Sequence, residues 1–324
     1  IDSLHQIFLA RNNFVFLMDP LETVIVDKDT SLILMVGAHQ RGHKIFFLPD
    51  GGMSLNNGHL TFHAVELIPQ LDEENPFVGK KSVNLGPEEI DVVFVRSDPP
   101  FDDTYLTNTW LLDALPKQIP VINSPEGLRA ANEKIWAAQF TTLVPPTYIG
   151  RNKQAMLAFL DEGNDIIAKP TNAFGGQSVF RVKKGDSNAH VILETLTHNG
   201  TRDIILQQCV KEFDQGDKRI LLLDGEPLGA VLRVHAPGDH RNNLFSGGNP
   251  EPTQITARDL EIIETLKPAL RRSGLYFVGI DIIGRYLIEV NVTSPTCLQE
   301  MNRFYGVHLE EKVIAFAENL VKSR

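Results

Sequence analysis

Apolar, β-branched and aromatic residues gather into runs of strand length that end on turn residues. In the first part of the chain they lie in NFVFLMDP (13–20), KIFFLP (44–49), DVVFVRSDPP (91–100) and IPVINSP (119–125). Between the first two, TSLILMVGAHQR (30–41) places Leu32, Met35, Val36 and His39 at helical spacing. Strand, helix and strand in alternation predict a largely parallel α/β layer over about residues 1–130. In open sheets of this kind the loops after the strands are where ligands sit.

The pattern then changes. ANEKIWAAQF (131–140) reads as helix, DIIAKP (165–170) and SVFRVKK (178–184) read as short strands, and these two bracket TNAFGGQ with its Gly175-Gly176 turn. After DIILQQCV (203–210) the chain is strand-rich. KRILLLDGEPLGAVLRVH (218–235) forms a hairpin around Asp224-Gly225, FVGIDIIGRYLIEVNV (277–292) forms a second, and a helix over 257–273 separates them. Three lobes follow, 1–130, 131–210 and 211–324, with no internal repeat and no low-complexity tract.

Composition narrows the class. A chain of 324 residues with 42% hydrophobic and 22% charged residues is ordinary globular protein with room for two or three cores. A formal charge of −10 argues against a duplex nucleic-acid binder, which would need a basic face. Two cysteines, Cys209 and Cys297, supply no disulfide framework and fit a reducing compartment. The opening residues lack a basic segment followed by a long apolar one, and no run approaches the ~18 apolar residues of a membrane span. The expectation is a cytoplasmic protein away from membranes. The chain does not open on Met, so it is expected to begin inside a longer gene product.

The closing hairpin carries the first candidate chemistry. Glu289 and Asn291 are two apart and share a face of their strand. Asp281 joins them if it pairs with Glu289, which calls for a three-residue connection of Gly284, Arg285 and Tyr286. A two-residue turn would pair Asp281 with Ile288 and turn Glu289 to the opposite face. The first arrangement gathers the hard oxygens that Mg²⁺ prefers, and the second is a plain hairpin edge.

Lys134 on its helix and Lys169 at a strand end, before the Gly175-Gly176 turn, are candidates for phosphate contact. Neither a G-x-x-x-x-G-K-[ST] loop nor a G-x-G-x-x-G occurs. Arg96, Arg219 and Arg233 sit at strand ends, and Arg241 lies in the polar loop PGDHRNN. Singly each reads as a solvated cap, while together they suit carboxylate and phosphate recognition. No H-E-x-x-H, C-x-x-C or G-x-S-x-G is present, and the ten histidines are scattered.

Taken in order, VRSDPPFD (95–102), NSPEGLRAANEK (123–134), GDKRILLLDGEP (216–227), LRVH with HRNNLFSGG (232–235 and 240–248), and FVGIDIIG with LIEVNVTSPT (277–284 and 287–296) resemble the prokaryotic glutathione synthetases of the ATP-grasp superfamily. The resemblance runs from about residue 16 to the end. It implies an N-terminal parallel α/β domain and two α+β ATP-grasp lobes with antiparallel sheets, ATP lying between those sheets under a glycine-rich loop. Lys134, Lys169, Gly175 and Gly176 are then expected at the ATP phosphates, Gln207, Gln208, Cys209 and Val210 at the adenine, and Asp217 at the ribose. Asp281, Glu289 and Asn291 are expected to hold Mg²⁺, with Mn²⁺ as a substitute. Arg96 and Asp98 are expected to bind the γ-glutamyl end of γ-glutamylcysteine, and Arg219, Arg233 and Arg241 to act near the reacting carboxylate.

The implied reaction joins γ-glutamylcysteine to glycine. ATP first phosphorylates the cysteinyl carboxylate, and the glycine amine then attacks the acyl phosphate. Positioning and charge carry such a reaction without a side-chain nucleophile. A closing Gly175-Gly176 loop is expected to keep water out. The resemblance also implies a homo-oligomer, a dimer or a tetramer. Three departures stand out: Ala173 in place of a further glycine in the loop, QQCV at the adenine segment, and a longer stretch before FLMDP. Two other readings stay open, an ATP-grasp ligase joining a different acid and amine, and a synapsin-like nucleotide binder without turnover.

Overall fold

The computed structural model describes residues 11–163, 165–172, 177–234 and 249–323. The chain divides into two compact units, one of Ile1–Asp98, Asp102–Glu126 and Thr296–Arg324, the other of Pro99–Phe101 and Gly127–Pro295.

In the first unit the predicted strands form as β1 (Asn13–Leu17), β2 (Lys44–Leu48), β6 (Val92–Val95) and β7 (Val121–Ile122), mutually parallel in the order β2-β1-β6-β7. Helix α1 (Thr30–Gln40) follows β1, and Asp29 starts it by accepting the Leu32 N–H at 2.7 Å. These four strands are the expected parallel layer, and the sheet as a whole is mixed. β3 (Met53–Asn56), β4 (His59–Pro69) and β5 (Phe77–Leu85) extend its edge antiparallel through β4 on β2. β4 buries Leu60, Phe62, Ala64 and Leu67 and shows the residues between them to solvent or to partial cover. This half-buried alternation suits an antiparallel extension better than a βαβ strand. Helix α2 (Asp103–Leu112) follows β6, and α3 (Pro125–Ala130) follows β7.

The second unit carries two antiparallel sheets. The first has the order β10-β9-β11-β8, from β8 (Thr147–Gly150), β9 (Asp165–Pro170), β10 (Phe180–Lys183) and β11 (Ile204–Gln208). Its apolar face, with Ile166, Ala168, Ile204 and Leu206, packs on Met156 and Leu160 of α4 (Lys153–Glu162) and on Leu193 and Leu196 of α5 (Ala189–Leu196). The second sheet has the order β14-β13-β12-β15-β16, from β12 (Asp217–Leu223), β13 (Glu226–Val234), β14 (Asn249–Pro252), β15 (Phe277–Ile283) and β16 (Tyr286–Asn291). The hairpin around Asp224-Gly225 is present, with φ of 50° and 74° at those two residues, the left-handed pair that a tight two-residue turn requires. Helix α6 (Ala257–Arg272) buries Ile262, Ile263, Leu266 and Leu270, and Lys218 of β12 reaches its Asp259 at 2.6 Å.

The last helices, α7 (Leu298–Tyr305) and α8 (Leu309–Lys322), belong to the first unit. There Glu318 of α8 takes a two-bond fork from Arg41 and a third bond from His43, whose ring stacks on Phe14. Among the described residues no helix is long and apolar enough to cross a membrane.

Candidate active site

The hairpin of β15 and β16 corrects the expected turn and keeps its consequence. Ile283 pairs with Tyr286, so the connection is the two residues Gly284 and Arg285, with Gly284 at φ 57°. Asp281 nevertheless pairs with Glu289, because the register shifts between Asp281 and Ile282 and Ile288 is an extra residue. The reason lies on the other face. Ile280, Ile282, Leu287 and Val290 are all 2% exposed or less, and an unbroken register would bring Glu289 opposite Ile280 in that layer. The bulge keeps the carboxylate out, and Ile288 packs against Ile167, Val210, Phe213 and Ile283.

The polar face of this sheet holds a chain of ion pairs. Arg219 donates to Asp281 through Nε at 2.5 Å and Nη2 at 2.9 Å. Arg233 donates to both oxygens of Asp217 and reaches Asp281 Oδ2 at 2.9 Å. Asn291 turns its amide nitrogen to the same Oδ2 at 3.1 Å. Burial pushes the Asp281 carboxyl up, but Arg219 and Arg233 hold it well below the usual carboxylate range. Burial and neighbouring Asp281 leave Asp217 raised in spite of Arg233. Asp217, expected at a ribose, thus stands inside this chain with Arg233 on both of its oxygens.

Lys134 is not on a helix. The expected helix over 131–140 is a turn followed by a short 3₁₀ segment, Trp136–Gln139. Asn132 Oδ1 accepts the Lys134 and Ile135 N–H groups at 3.0 and 2.9 Å, a local bond that competes with helix formation. The Glu133 carbonyl meanwhile accepts the Val290 N–H of β16 at 3.0 Å. From this turn Lys134 Nζ reaches Glu289 Oε1 at 2.6 Å. Burial disfavours both charges, but each partner outweighs it, and the Lys134 pKa stands above and the Glu289 pKa below the ordinary value.

Lys169 and Gln207 share a face of the other sheet, where β9 and β11 pair Lys169 with Ile205 and Gln207 with Ile167. Lys169 Nζ meets an amide oxygen, Gln207 Oε1 at 3.4 Å, rather than a carboxylate, and burial brings its pKa down to about 8. Gln207 also donates to Thr147 Oγ1 at 3.0 Å. Beyond it, Gln208 is exposed, Cys209 half-buried and Val210 buried. The Gln208 and Cys209 N–H groups donate to the Pro146 and Asp165 carbonyls at 2.9 and 2.8 Å. Pro146 has no N–H to return to Gln208. Burial raises the Cys209 thiol to about 11, far from a reactive thiolate.

In the first unit Arg96 is 3% exposed, and its Nε donates to Ser31 Oγ at 3.0 Å near the start of α1. Burial lowers its pKa against the charges of Asp98, Asp29 and Asp19. Asp98 is exposed, and its N–H is held by Asp19 at 2.7 Å. Gly175, Gly176 and Arg241 lie outside the described residues, as does Ala173.

Asp281 stands opposite Glu289 and accepts from Asn291, and just beyond them Glu133 accepts from Val292 and Thr293, a contact the sequence does not announce. Two carboxylates from paired strands and an amide side chain form a hard-oxygen set, so the residues fit Mg²⁺ in donor type. Among the described residues no group of three or more His, Cys, Asp or Glu could hold a metal, so this set needs the amide and ligand oxygens to complete a shell.

Over 13–129 the chain matches the family model of the prokaryotic glutathione synthetase N-terminal domain, and over 133–306 that of the ATP-grasp domain of the same enzymes. It is 40% identical over 313 residues to the glutathione synthetase of Synechocystis sp., covering 94% of this chain and 98% of that one. It is also 40% identical over 296 residues to the glutathione synthetase of Escherichia coli strain K12, covering 90% and 93%. Among solved structures, D-cycloserine synthetase DcsG matches with a TM-score of 0.65 at 15% identity, over 95% of this chain and 99% of that one. The D-alanine–D-alanine ligase of Bacillus anthracis complexed with ATP matches with a TM-score of 0.58 at 13% identity, over 96% and 99%. These two structures speak for the fold alone.

Proposed function

The chain belongs to the prokaryotic glutathione synthetases and is an ATP-dependent ligase, and on that premise we propose how its own residues join γ-glutamylcysteine to glycine. Lys134 and Lys169 bind the ATP phosphates, Lys169 being set apart by a neutral first neighbour that a phosphate oxygen can replace. The Gln208 carbonyl and the segment through Val210 read the adenine. Asp281, Glu289 and Asn291 hold Mg²⁺, or Mn²⁺ in its place, with Lys134 and Arg219 sharing the carboxylates. When bound, the ion neutralises charge on the phosphoryl oxygens.

Arg96, with Asp98 beside it, takes the γ-glutamyl end of the acid substrate. Arg219 and Arg233 stabilise the charge of the cysteinyl carboxylate as its oxygen attacks the γ-phosphorus and ADP leaves. The glycine amine then attacks the acyl carbon, phosphate departs with the bonding pair, and the amine gives up a proton. Arg241 is proposed for the same charge, and the Gly175-Gly176 loop for excluding water.

The single observation that carries these roles is the pairing of Asp281 with Glu289, each already bridged to a cation of the proposed phosphate and carboxylate machinery. The test is purified protein with ATP, Mg²⁺, γ-glutamylcysteine and a panel of amines, with ADP and peptide measured together. Equal release of ADP and glutathione, dependent on γ-glutamylcysteine and glycine, is expected. A preference for another acid or amine would move the chain to a neighbouring ligase specificity, and ATP binding without turnover would support a synapsin-like role.

We further propose a three-lobed working form, a homo-oligomer, and a reducing cytoplasmic setting. Neither cysteine is in a disulfide, and the acid substrate is itself a thiol.

A further inference from the structure

Glu133 ties the turn that carries Lys134 to the end of the strand that carries Glu289 and Asn291. Its Oε1 accepts the Val292 N–H at 2.9 Å, the Thr293 N–H at 3.0 Å and the Thr293 hydroxyl at 2.8 Å. Its backbone carbonyl accepts the Val290 N–H at 3.0 Å. One residue thus grips the chain on both sides of Asn291, by its carbonyl before and its carboxylate after. Asn132 stiffens the same turn through the Lys134 and Ile135 amides. The side chain of the next residue, Lys134, crosses back to Glu289 at 2.6 Å.

The chemistry of the clamp is specific. A single carboxylate oxygen accepting three donors is a strong, direction-setting anchor. An alanine would leave two strand-end amides and a hydroxyl without that acceptor. A glutamine keeps an oxygen at the same reach and loses only the charge. None of the proposed steps requires Glu133 to touch a substrate.

We infer that Glu133 is a positioning residue of the ligase, fixing Asn291 and Glu289 against Lys134 and so setting the geometry in which the cation and the ATP phosphates are held. The inference rests on the proposed role of Asp281, Glu289 and Asn291 as the cation set.

The test compares Glu133→Ala, Glu133→Gln and Asn291→Ala with the unaltered protein. Mn²⁺ binding is followed by electron paramagnetic resonance in the presence of a non-hydrolysable ATP analogue, amide hydrogen exchange is followed over 290–293, and steady-state kinetics are measured against Mg²⁺ and γ-glutamylcysteine. In Glu133→Ala, Mn²⁺ is expected to bind about tenfold more weakly. The Val292 and Thr293 amides exchange faster, kcat falls, and KM for γ-glutamylcysteine stays within about twofold. Glu133→Gln stays within about twofold of the unaltered protein in every measurement.

Unchanged Mn²⁺ binding in Glu133→Ala, with weakened binding in Asn291→Ala, overturns the positioning role alone. A Glu133→Gln as impaired as Glu133→Ala overturns it too, because charge and not anchoring would then be required. Unchanged binding in Asn291→Ala overturns the cation reading itself. Should Glu133→Ala not fold, Thr293→Val removes one of the three donors and is expected to weaken Mn²⁺ binding about threefold. No change there overturns the inference.

Discussion

Arg219 and Asp281 stand opposite each other on β12 and β15, and their side chains close a two-bond fork inside the polar face of the sheet. Arg233 and Asn291 approach the same carboxylate, so Asp281 is ionised and held from three sides. A carboxylate this constrained can share its oxygens with a ligand without moving, which is the kind of preorganisation that charge-stabilised transfer needs.

Replacing Arg219 separates its two contributions. Arg219→Lys keeps the charge and loses the fork, and kcat is expected to fall by about a hundredfold with the fold intact. Arg219→Ala removes a partner from a buried carboxylate and is expected to cost about 3 kcal/mol of stability. Steady-state kinetics check the first, and urea unfolding checks the second.

Gly279 gives the same site a steric test. A Cβ there would stand 3.1 Å from Arg219 Cδ, 3.3 Å from its Nε and 3.0 Å from Pro295 Cβ. Gly279→Ala is therefore expected to displace the guanidinium from Asp281 and to lower kcat about tenfold while leaving KM for ATP nearly unchanged. A kcat equal to that of the unaltered enzyme would show that the arginine can yield without consequence.

Lys169 predicts a pH dependence. Its pKa in the folded protein is down to about 8 from the usual lysine value of 10.5, because burial disfavours the ammonium. The unfolded chain therefore binds the extra proton between about pH 8 and 10.5, and this residue's contribution to stability rises with pH across that window. ATP binding runs the other way, since phosphates favour the charged form. Affinity for a non-hydrolysable ATP analogue is expected to fall about fivefold from pH 8 to 9 in a calorimetric titration. Lys169→Arg, charged throughout, should flatten that fall.

Acid acts on the first unit through Glu318. Hydrogen bonds from Arg41, opposed by burial and assisted by His43, hold its pKa below the usual carboxylate value of 4.5. A depressed carboxylate contributes stability above its unfolded pKa and loses it as pH falls through the folded one. Thermal unfolding is expected to show Tm dropping below about pH 4.5, with a shallower drop in Glu318→Gln.

Much of this fold was legible because local signals agreed with the tertiary ones. Helix α1 begins at its Asp29 cap as the periodicity predicts, and the hairpin at Asp224-Gly225 forms where the dipeptide demands it. Residues 131–140 misled because Ile135, Trp136, Ala137 and Ala138 suggest a helix, while Asn132 and Glu133 spend their oxygens elsewhere. Asn132 is the one local signal that could have been read as a turn. Thr293 gave no such signal, because its partner is 160 positions away. The β3–β5 extension escaped notice because β5 exposes Gly79, Lys80, Lys81 and Ser82 and offers no continuous apolar run. In the site, side-chain alternation put Glu289 and Asn291 on one face, while the meeting of Asp281 with them depended on a bulge that no local residue announces.

That bulge leaves Ile288 in an unusual position. Were Ile288 removed, Leu287 and Glu289 would become neighbours in an even register, and Asp281, Glu289 and Asn291 would keep the face they have now. What would open is the apolar seam that Ile288 shares with Ile167, Val210 and Phe213, where β9 and the segment after β11 meet the closing hairpin of the other sheet. The orientation of these oxygen-bearing side chains and the joint between the two sheets are thus written one residue apart, and a single deletion could remove the second while sparing the first.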